Sequence, residues 1–363
     1  MNPSEHELVF PWPTAPGPGE LVTLRPGVHW LRMPLPFALN HINLWLLDDE
    51  VDGVRGYTAI DCGIASEPTR QAWEDLFDRA FEQRPLLRVI ATHFHPDHLG
   101  LAHWLCQGGA RARWTAPLWM TGAEYMIGRY LAGGGPAAQR ADPAALREFY
   151  LCHGVDAEEA ARRAASRGEQ YYARMVPSVP ASYVRIFEGD EIPIGGGTAP
   201  RRRFRVVTGF GHAPEHASLV CDQENLLISG DMVLPSISTN VSVYEVEPLA
   251  NPLRRYLDSV DRLARLPAQT LVLPSHGLPF TGLHLRAAQL HAHHRERLDR
   301  AMQACETPRT AHEMVPVLFR RTLDQHQVGF AFGEALAHLH HLWYEGRLTR
   351  QQGADGVLRF CRT

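Results

Sequence analysis

The sequence predicts an α/β fold, a four-layer αββα sandwich with a helical insertion and a small C-terminal domain. Two runs of short strand patterns, one in each half of the chain, are joined to helical patterns, so strands and helices alternate at both ends of the two runs. With 363 residues, of which 45% are apolar, the chain can bury one large core and carry one appended unit.

The first half opens with a proline-rich arm, residues 1–20, which we expect to lie extended on the surface. A helical pattern at 67–82 places Trp73, Leu76 and Phe77 on one face. The strand patterns before and after this helix are 21–24, 28–32, 42–47, 57–61 and 86–92. A helix at 99–107 and a strand at 112–115 complete the predicted elements of this half.

A long helical stretch at about 121–175, interrupted at 133–136 and 142–143, predicts a helical insertion. Strand patterns then return at 184–187, 191–194, 204–208, 217–221 and 226–229. The last part of this half alternates again, with a helix at 251–266, a strand at 270–273 and a helix at 283–304. We therefore predict a catalytic domain over residues 21–306.

Residues 307–363 predict a separate winged-helix domain. A short helix, a longer helix at 328–345 that ends at Gly346, and strand patterns at 347–349 and 357–360 around a turn follow one another. The longer helix contains several histidines but no arginine, so we expect this domain not to bind DNA. We expect the domain instead to pack against the rest of the chain or to form part of a homodimer interface.

The amino-acid composition excludes several classes of function. The 36 basic residues are all arginine, which excludes P-loop phosphate binding and Schiff-base chemistry, because both need lysine. The formal net charge of -4 gives no overall attraction to nucleic acid or to anionic membranes. Six dispersed cysteines, no signal-peptide pattern and no apolar run of membrane-spanning length predict a cytoplasmic protein with reduced thiols and no membrane contact.

The run from Thr92 to Gly100, THFHPDHLG, is the most informative segment of the chain. In an extended turn His93 and His95 project to one side, whereas Asp97 and His98 open the next helix and face a second point nearby. Neutral imidazole and carboxylate are both ligands for divalent ions such as zinc. The segment therefore predicts part of a two-metal site whose remaining ligands lie at other strand ends.

Three later strand patterns each end in a candidate ligand: His212 after Gly211, Asp231 after Gly230, and His276 after Ser275. His216 competes with His212 for the first of these roles. We favour His212 because it follows the strand and the glycine directly, and we expect His216 to make a supporting hydrogen bond.

These residues resemble the metallo-β-lactamase-fold hydrolases. The matching segments, in the order of the family, are HFHPDH at 93–98, GHAPEH at 211–216, SGD at 229–231 and SHG at 275–277. The resemblance covers about residues 20–300 and implies that one metal is bound by His93, His95 and His212, the other by Asp97, His98 and His276, with Asp231 between them. The tail resembles the winged-helix appendage of the subgroup that contains mitochondrial β-lactamase-like endoribonucleases. Cys62 stands where threonine is common in the family.

The predicted chemistry is metal-assisted hydrolysis. Two divalent ions, zinc in the first instance with iron or manganese accepted by similar ligands, would make a bridging hydroxide available at neutral pH, and Asp97 would be the catalytic residue that orients it and handles its proton. The substrate we expect is a small acyl compound, that is, a carboxylic ester, thioester or lactone. The alternative is a ribonuclease or phosphodiesterase acting on single-stranded RNA.

Two features bear on that choice. Aromatic and sulfur side chains of the insertion are expected to cover the metal face, which favours an acyl substrate; they are Trp119, Tyr125, Met126, Tyr130, Phe149, Tyr171 and Tyr172. Arg201, Arg202, Arg203 and Arg205 favour RNA, although a solvated hairpin tip is their simpler interpretation. The histidines at 291, 293 and 294 are expected on a solvated helix face, without metal.

Overall fold

Two β-sheets form the centre of the protein. The computed structural model describes residues 7–81, 84–132, 143–166, 171–197, 199–320, 322–323 and 325–363. The first sheet has the strand order β1 (Leu21–Arg25), β2 (Val28–Pro34), β3 (His41–Val51), β4 (Val54–Ile60), β5 (Leu86–Ile90), β6 (Leu118–Met120) and β7 (Val184–Arg185). Strands β1 to β4 pair with one another in antiparallel fashion, whereas the pairs β4–β5, β5–β6 and β6–β7 are parallel.

The second sheet contains β8 (Glu191–Gly196), β9 (Ala199–Gly209), β10 (His216–Cys221), β11 (Leu226–Gly230) and β12 (Leu271–Pro274), in the spatial order β12-β11-β10-β9-β8. Only the β11–β12 pair is parallel. A parallel pair needs a crossover connection, and α8 (Pro252–Leu263) supplies it.

The remaining helices, in chain order, are α1 (Glu67–Arg79), α2 (Pro96–Leu99), α3 (Ala102–Cys106), α4 (Gly122–Leu131), α5 (Pro143–Cys152), α6 (Ala157–Ser166), α7 (Tyr171–Met175), α9 (Leu283–Ala304), α10 (Ala311–Leu318) and α11 (Gln325–Tyr344). A hairpin of β13 (Leu348–Gln352) and β14 (Leu358–Arg362) ends the chain. Helix α1 shows why such segments fold locally: Ser66 caps its N-terminus by accepting from Thr69 N–H.

The order of the layers follows from which faces of the sheets and helices are apolar. Trp30 and Trp45 of the first sheet and Phe204 and Leu219 of the second are buried in one cluster between the sheets. Helices α1 and α3 cover the outer face of the first sheet, and α8 and α9 cover that of the second. Burying each such large apolar side chain stabilises the fold by roughly 1.5–3 kcal/mol. The predicted four-layer αββα sandwich is confirmed.

The strand predicted at 112–115 is wrong. Ala112 has a φ of 48°, which an extended strand does not adopt, and it follows a 3-10 turn at Gly109–Arg111. The sixth strand lies instead at Leu118–Met120, where Val89 and Ile90 of β5 pair with Leu118 and Trp119. With three residues, this parallel strand is too short to show a strand period in the sequence.

The predicted insertion divides between two parts of the fold. Within its described residues, Tyr125 of α4 packs in the core beside the first sheet. Phe149 and Tyr150 of α5 instead pack against Phe332 of α11, with ring centroids 6.0 and 5.2 Å apart. The insertion therefore touches both the first sheet and the C-terminal part of the chain.

A small C-terminal domain is present. A capping box between Thr310 and Glu313 starts α10, and the isolated pair Arg309–Phe360 ties the start of this unit to β14. The order of its elements is the predicted one, and the winged-helix assignment and the boundary at residue 307 stay predictions.

Residues 7–20 of the predicted arm are described; Leu8 is buried and Val9 pairs with Thr281. None of the helices in the described ranges has the length and apolarity to cross a membrane.

Candidate metal centre

The sequence-predicted ligands follow the ends of four strands, β5, β9, β11 and β12; Asp97 and His98 belong to the short helix α2, and the others lie in loops. Two of these loops depend on glycine. Gly211 has a φ of 94° and a Cβ there would lie 2.3 Å from the carbonyl oxygen of Pro252, and Gly230 has a φ of 52° with a Cβ position 2.3 Å from Nε2 of His216. Only glycine fits both the backbone conformation and the space.

Four of the predicted ligands form one cluster. Ligand atoms of His93, His95, His212 and Asp231 all lie within 4.8 Å of one another. Nε2 of His93 is 2.9 Å from Nδ1 of His95 and 3.2 Å from Nε2 of His212, which in turn is 3.3 Å from Oδ2 of Asp231. Three imidazole nitrogens and a carboxylate oxygen thus face one point.

The other three form a second cluster, and Asp231 lies between the two. Nε2 of His276 is 3.4 Å from Oδ2 of Asp97, and Nε2 of His98 is 3.6 Å from the same oxygen. Oδ1 of Asp231 lies 3.5 Å from Nε2 of His98 and 3.4 Å from Nε2 of His276. One carboxylate oxygen of Asp231 therefore faces the first cluster and the other faces the second.

Hydrogen bonds on the far side of the rings orient two of the histidines. Nδ1 of His212 donates to the carbonyl oxygen of Asn240 at 2.9 Å, and Nδ1 of His276 donates to that of His41 at 2.8 Å. A ring that donates through Nδ1 presents the lone pair of Nε2 to the cluster. This arrangement is common in metal-binding histidines.

Asp61 performs the same task for His98. Oδ2 of Asp61 lies 2.8 Å from Nδ1 of His98, and Oδ1 accepts from the backbone N–H of Thr92 at 2.7 Å. Asp61 has a φ of 64° at the end of β4, so its carboxylate is aimed by an uncommon backbone conformation. Sequence reasoning missed this role, although an acid as the last residue of the strand pattern 57–61 was a signal for it.

Burial and charge suit the site to a cation. Nε2 of His98 and Oδ1 of Asp231 are buried and have no hydrogen-bond partner among the described residues. Burial lowers the pKa of His95 to about 3 and holds that of His93 well below its usual range, so both rings are neutral ligands at pH 7. Burial opposes a proton on His98, but the carboxylates around it outweigh burial and raise its pKa well above the usual range. The residues present fit a pair of divalent cations.

His216 lies beside this site rather than in it. Its ring is fully buried, and Nε2 accepts from the backbone N–H of Asp231 at 3.1 Å. The structure thus places His212 against Asp231 and uses His216 to hold the loop that carries Asp231.

The expected aromatic cover of the metal face is largely wrong. Tyr172 does reach the site, where its hydroxyl donates to the carbonyl oxygen of Phe94. Phe149 packs under the C-terminal helices, Trp119 packs between the sheets, and Tyr125 stacks on Tyr183. Met126 and Tyr130 are exposed, and the side chain of Tyr171 lies outside the described residues. Packing across the fold, which the sequence pattern does not encode, decided these positions.

The expectation of a solvated face is wrong for His294, which is fully buried. A nitrogen of His293, a nitrogen of His294 and an oxygen of Glu334 lie within 4.8 Å of one another. Arg297 already occupies this cluster, with Nη1 2.9 Å from Nδ1 of His293 and Nε 3.6 Å from Oε1 of Glu334. A divalent cation there would meet a buried guanidinium, so we assign no metal to it.

A four-layer αββα sandwich with two adjacent clusters of metal-binding residues is the arrangement of a class of metal-dependent hydrolases. Comparison with known families agrees: residues 41–276 match the model of the metallo-β-lactamase superfamily, and residues 298–363 match that of the metallo-β-lactamase-like C-terminal domain. The chain belongs to the metallo-β-lactamase superfamily, whose members are generally metal-dependent hydrolases that bind divalent metals.

Two solved structures are similar over nearly the whole chain. A β-lactamase domain protein from Burkholderia ambifaria is 50% identical, with a TM-score of 0.90 and complete coverage of both chains. A metallo-β-lactamase family protein from Thermus thermophilus is 29% identical, with a TM-score of 0.72, and the match covers 94% of this chain and all of that one.

Proposed function

We propose that this chain is a dinuclear-metal-dependent hydrolase of a carboxylic ester, thioester or lactone. In this proposal His93, His95 and His212 hold one divalent cation, Asp97, His98 and His276 hold the other, and Asp231 serves both. The observation that carries it is the position of Asp231, which turns one carboxylate oxygen to each cluster. Nitrogen and carboxylate oxygen donors suit zinc first, and iron or manganese are accepted by similar ligands.

Two cations held in this way would lower the pKa of a water molecule towards 7 and polarise the oxygen of the scissile group. Asp97 is the residue we propose to take the proton of the attacking water and return it to the leaving group. Its side chain is 19% exposed, against 10% for Asp231, so Asp97 lies on the more open side of the site. Asp61, by holding His98, keeps the ring beside Asp97 in place.

An acyl substrate is supported by what borders the first cluster. The ring of Phe94 lies 4.8 Å from that of His95, and the ring of Tyr172 lies 6.1 Å from that of Phe94. This pair forms an apolar wall beside His95, which suits the apolar part of an ester better than a polyanion.

The arginines that favoured RNA are placed unfavourably for it. Arg202, Arg203 and Arg205 form ion pairs with Glu224, Glu191 and Asp222 at 2.8, 3.0 and 3.1 Å. They lie in the middle of β9, whereas His212 follows its end. At about 3.3 Å per residue, Arg203 is roughly 20 Å from Gly209 along the strand. These arginines are therefore too distant to hold a phosphate next to the metal ligands.

The test is a direct comparison of substrates. The zinc-loaded protein should hydrolyse aryl esters, acyl thioesters or lactones with a higher kcat/KM than single-stranded RNA. Asp97→Asn, with its metal content measured, should lower kcat by about 10²–10⁴-fold, the usual contribution of a general acid–base group. His95→Ala is the control that must abolish every activity of the site. Efficient RNA cleavage without ester turnover would replace the acyl proposal by the phosphodiesterase one.

A further inference from the structure

The backbone of the residue between the first two predicted ligands is held by the insertion at both its N–H and its carbonyl group. Phe94 stands between His93 and His95. Its N–H donates to Oε2 of Glu124 at 2.9 Å, and its carbonyl oxygen accepts from the hydroxyl of Tyr172. Glu124 belongs to α4 and Tyr172 to α7, so two separate helices fix this residue.

The same Glu124 side chain also reaches the other histidine loop. Its Oε1 accepts from the backbone N–H of Glu215, three residues after His212, at 2.6 Å. The contact is reciprocal, because Oε2 of Glu215 accepts from Ala123 N–H at 3.0 Å and the hydroxyl of Thr121 donates to the carbonyl oxygen of Glu215 at 2.7 Å. One buried carboxylate thus joins the loop that carries His93 and the loop that carries His212.

We infer that Glu124 is a positioning residue of the metal centre, which fixes the relative placement of loops 93–98 and 211–216 by accepting one backbone hydrogen bond from each. The inference rests on the proposed metal site and adds to it a function for the helical insertion. Glu124 touches none of the seven predicted ligands through its described hydrogen bonds, so it acts through the backbone.

The chemistry of the carboxylate explains why glutamate is needed. Glu124 is fully buried, and each of its two oxygens accepts one backbone N–H. An ionised carboxylate offers two acceptor oxygens, whereas the amide of glutamine offers one oxygen and one NH₂ donor. Glu124→Gln would therefore leave one buried N–H facing a donor, while the volume of the side chain stays the same.

Cobalt(II) reconstitution tests the inference, because its visible absorption reports ligand geometry whether or not the protein turns over substrate. We expect Glu124→Gln to change the cobalt spectrum and to weaken metal binding by about 10–100-fold in chelator competition, as loss of groups that orient ligands does. Glu215→Gln is the matched control, because one oxygen of Glu215 has a described bond and glutamine can supply it. Glu334→Gln controls for replacing a buried glutamate whose described side-chain neighbours, Arg297, His293 and His294, lie outside these loops.

The possible outcomes separate a failure of the proposed metal site from a failure of the positioning role of Glu124. A wild-type chain that binds no cobalt would defeat the proposed function itself. If wild type binds two ions and Glu124→Gln gives the same spectrum and affinity, the positioning role is refuted and the metal site stands. Should Glu124→Gln fail to fold, Glu124→Asp keeps the carboxylate but shortens the side chain by one methylene, so that the two backbone N–H bonds can no longer both be made; an altered spectrum supports the inference, and an unaltered one overturns it.

Discussion

At the residue scale, Asp231 differs from the other predicted ligands because it belongs to both clusters. Its backbone N–H is held by His216, and its side chain is 10% exposed. Gly230 makes this placement possible, because any side chain at that position would collide with His216. A change at Asp231 should therefore affect two metal ions, whereas a change at His276 should affect one.

We expect Asp231→Ala to lower the metal content of reconstituted protein from two ions per chain to one or fewer, because both clusters lose a carboxylate oxygen. His276→Ala should remove or weaken only the second ion. Elemental analysis after dialysis against a fixed free zinc concentration measures both. An Asp231→Ala protein that retains two ions would contradict the shared role.

At the scale of elements, the packing of α9 against α11 buries a polar network. Nδ1 of His338 donates to the carbonyl oxygen of Glu334 at 2.7 Å, which leaves Nε2 of His338 to accept from Nδ1 of His294 at 3.2 Å. Burial raises the pKa of Glu334 to about 7, although the guanidinium of Arg297 opposes the rise. The carboxyl group is therefore harder to ionise in the folded chain than in the unfolded one.

This shift predicts the pH dependence of stability. In the unfolded chain a glutamate has a pKa near 4.3, so between about pH 4.3 and 7 the folded state binds the extra proton. The stability contributed by Glu334 is complete below that window and is lost as pH rises through it. Glutamine does not ionise, so the unfolding free energy of Glu334→Gln minus that of wild type should increase by on the order of 1–3 kcal/mol when the pH is raised from 4.5 to 8.

Urea unfolding of the two proteins at both pH values, at one fixed metal concentration, measures this difference. Glu296→Gln, an exposed position on α9, controls for removing a carboxylate from the helix that packs against α11. A difference between Glu334→Gln and wild type that does not change with pH would show that Glu334 ionises freely in the folded protein.

At the scale of the whole molecule, the C-terminal unit is bound into the fold rather than displayed. His338 and His340 of α11 are fully buried and His341 is 6% exposed, so this histidine-bearing part of the longer helix packs inside the protein. His340 donates to the carbonyl oxygen of Ala250, which precedes α8. With a net charge of -4, the chain also lacks an overall attraction to phosphates.

We therefore expect this chain to bind neither a DNA duplex nor single-stranded RNA more tightly than about micromolar at physiological salt, which is the tight limit of non-specific affinity. Fluorescence anisotropy at two salt concentrations measures it, with an arginine-rich DNA-binding protein as the positive control. A salt-sensitive complex of sub-micromolar affinity would show a basic surface that the ion pairs of the described arginines do not reveal.

The sequence by itself determined the features that are encoded locally. Alternating apolar residues marked most strands, and the run from His93 to His98 carries four candidate ligands within six residues. Glycine before His212 and before Asp231 marked the turns at which strands end, because those turns need backbone conformations that glycine adopts most easily. These signals predicted the fold class, which the structure confirms, and seven candidate ligands, whose side chains the structure brings together.

Only the tertiary structure decided which distant residues support that site. Asp61, Glu124 and Tyr172 meet the ligand loops from three separate parts of the fold. Asp61 is at least marked as an acid at the end of a strand pattern, whereas nothing in the local sequence of Glu124 or Tyr172 distinguishes them from other buried polar or aromatic residues. For the same reason Phe149, which we expected at the metal face, packs against Phe332 of the C-terminal helix α11. Periodicity and turn chemistry act over a few residues, whereas these contacts depend on how complete helices pack, and that is a property of the whole core.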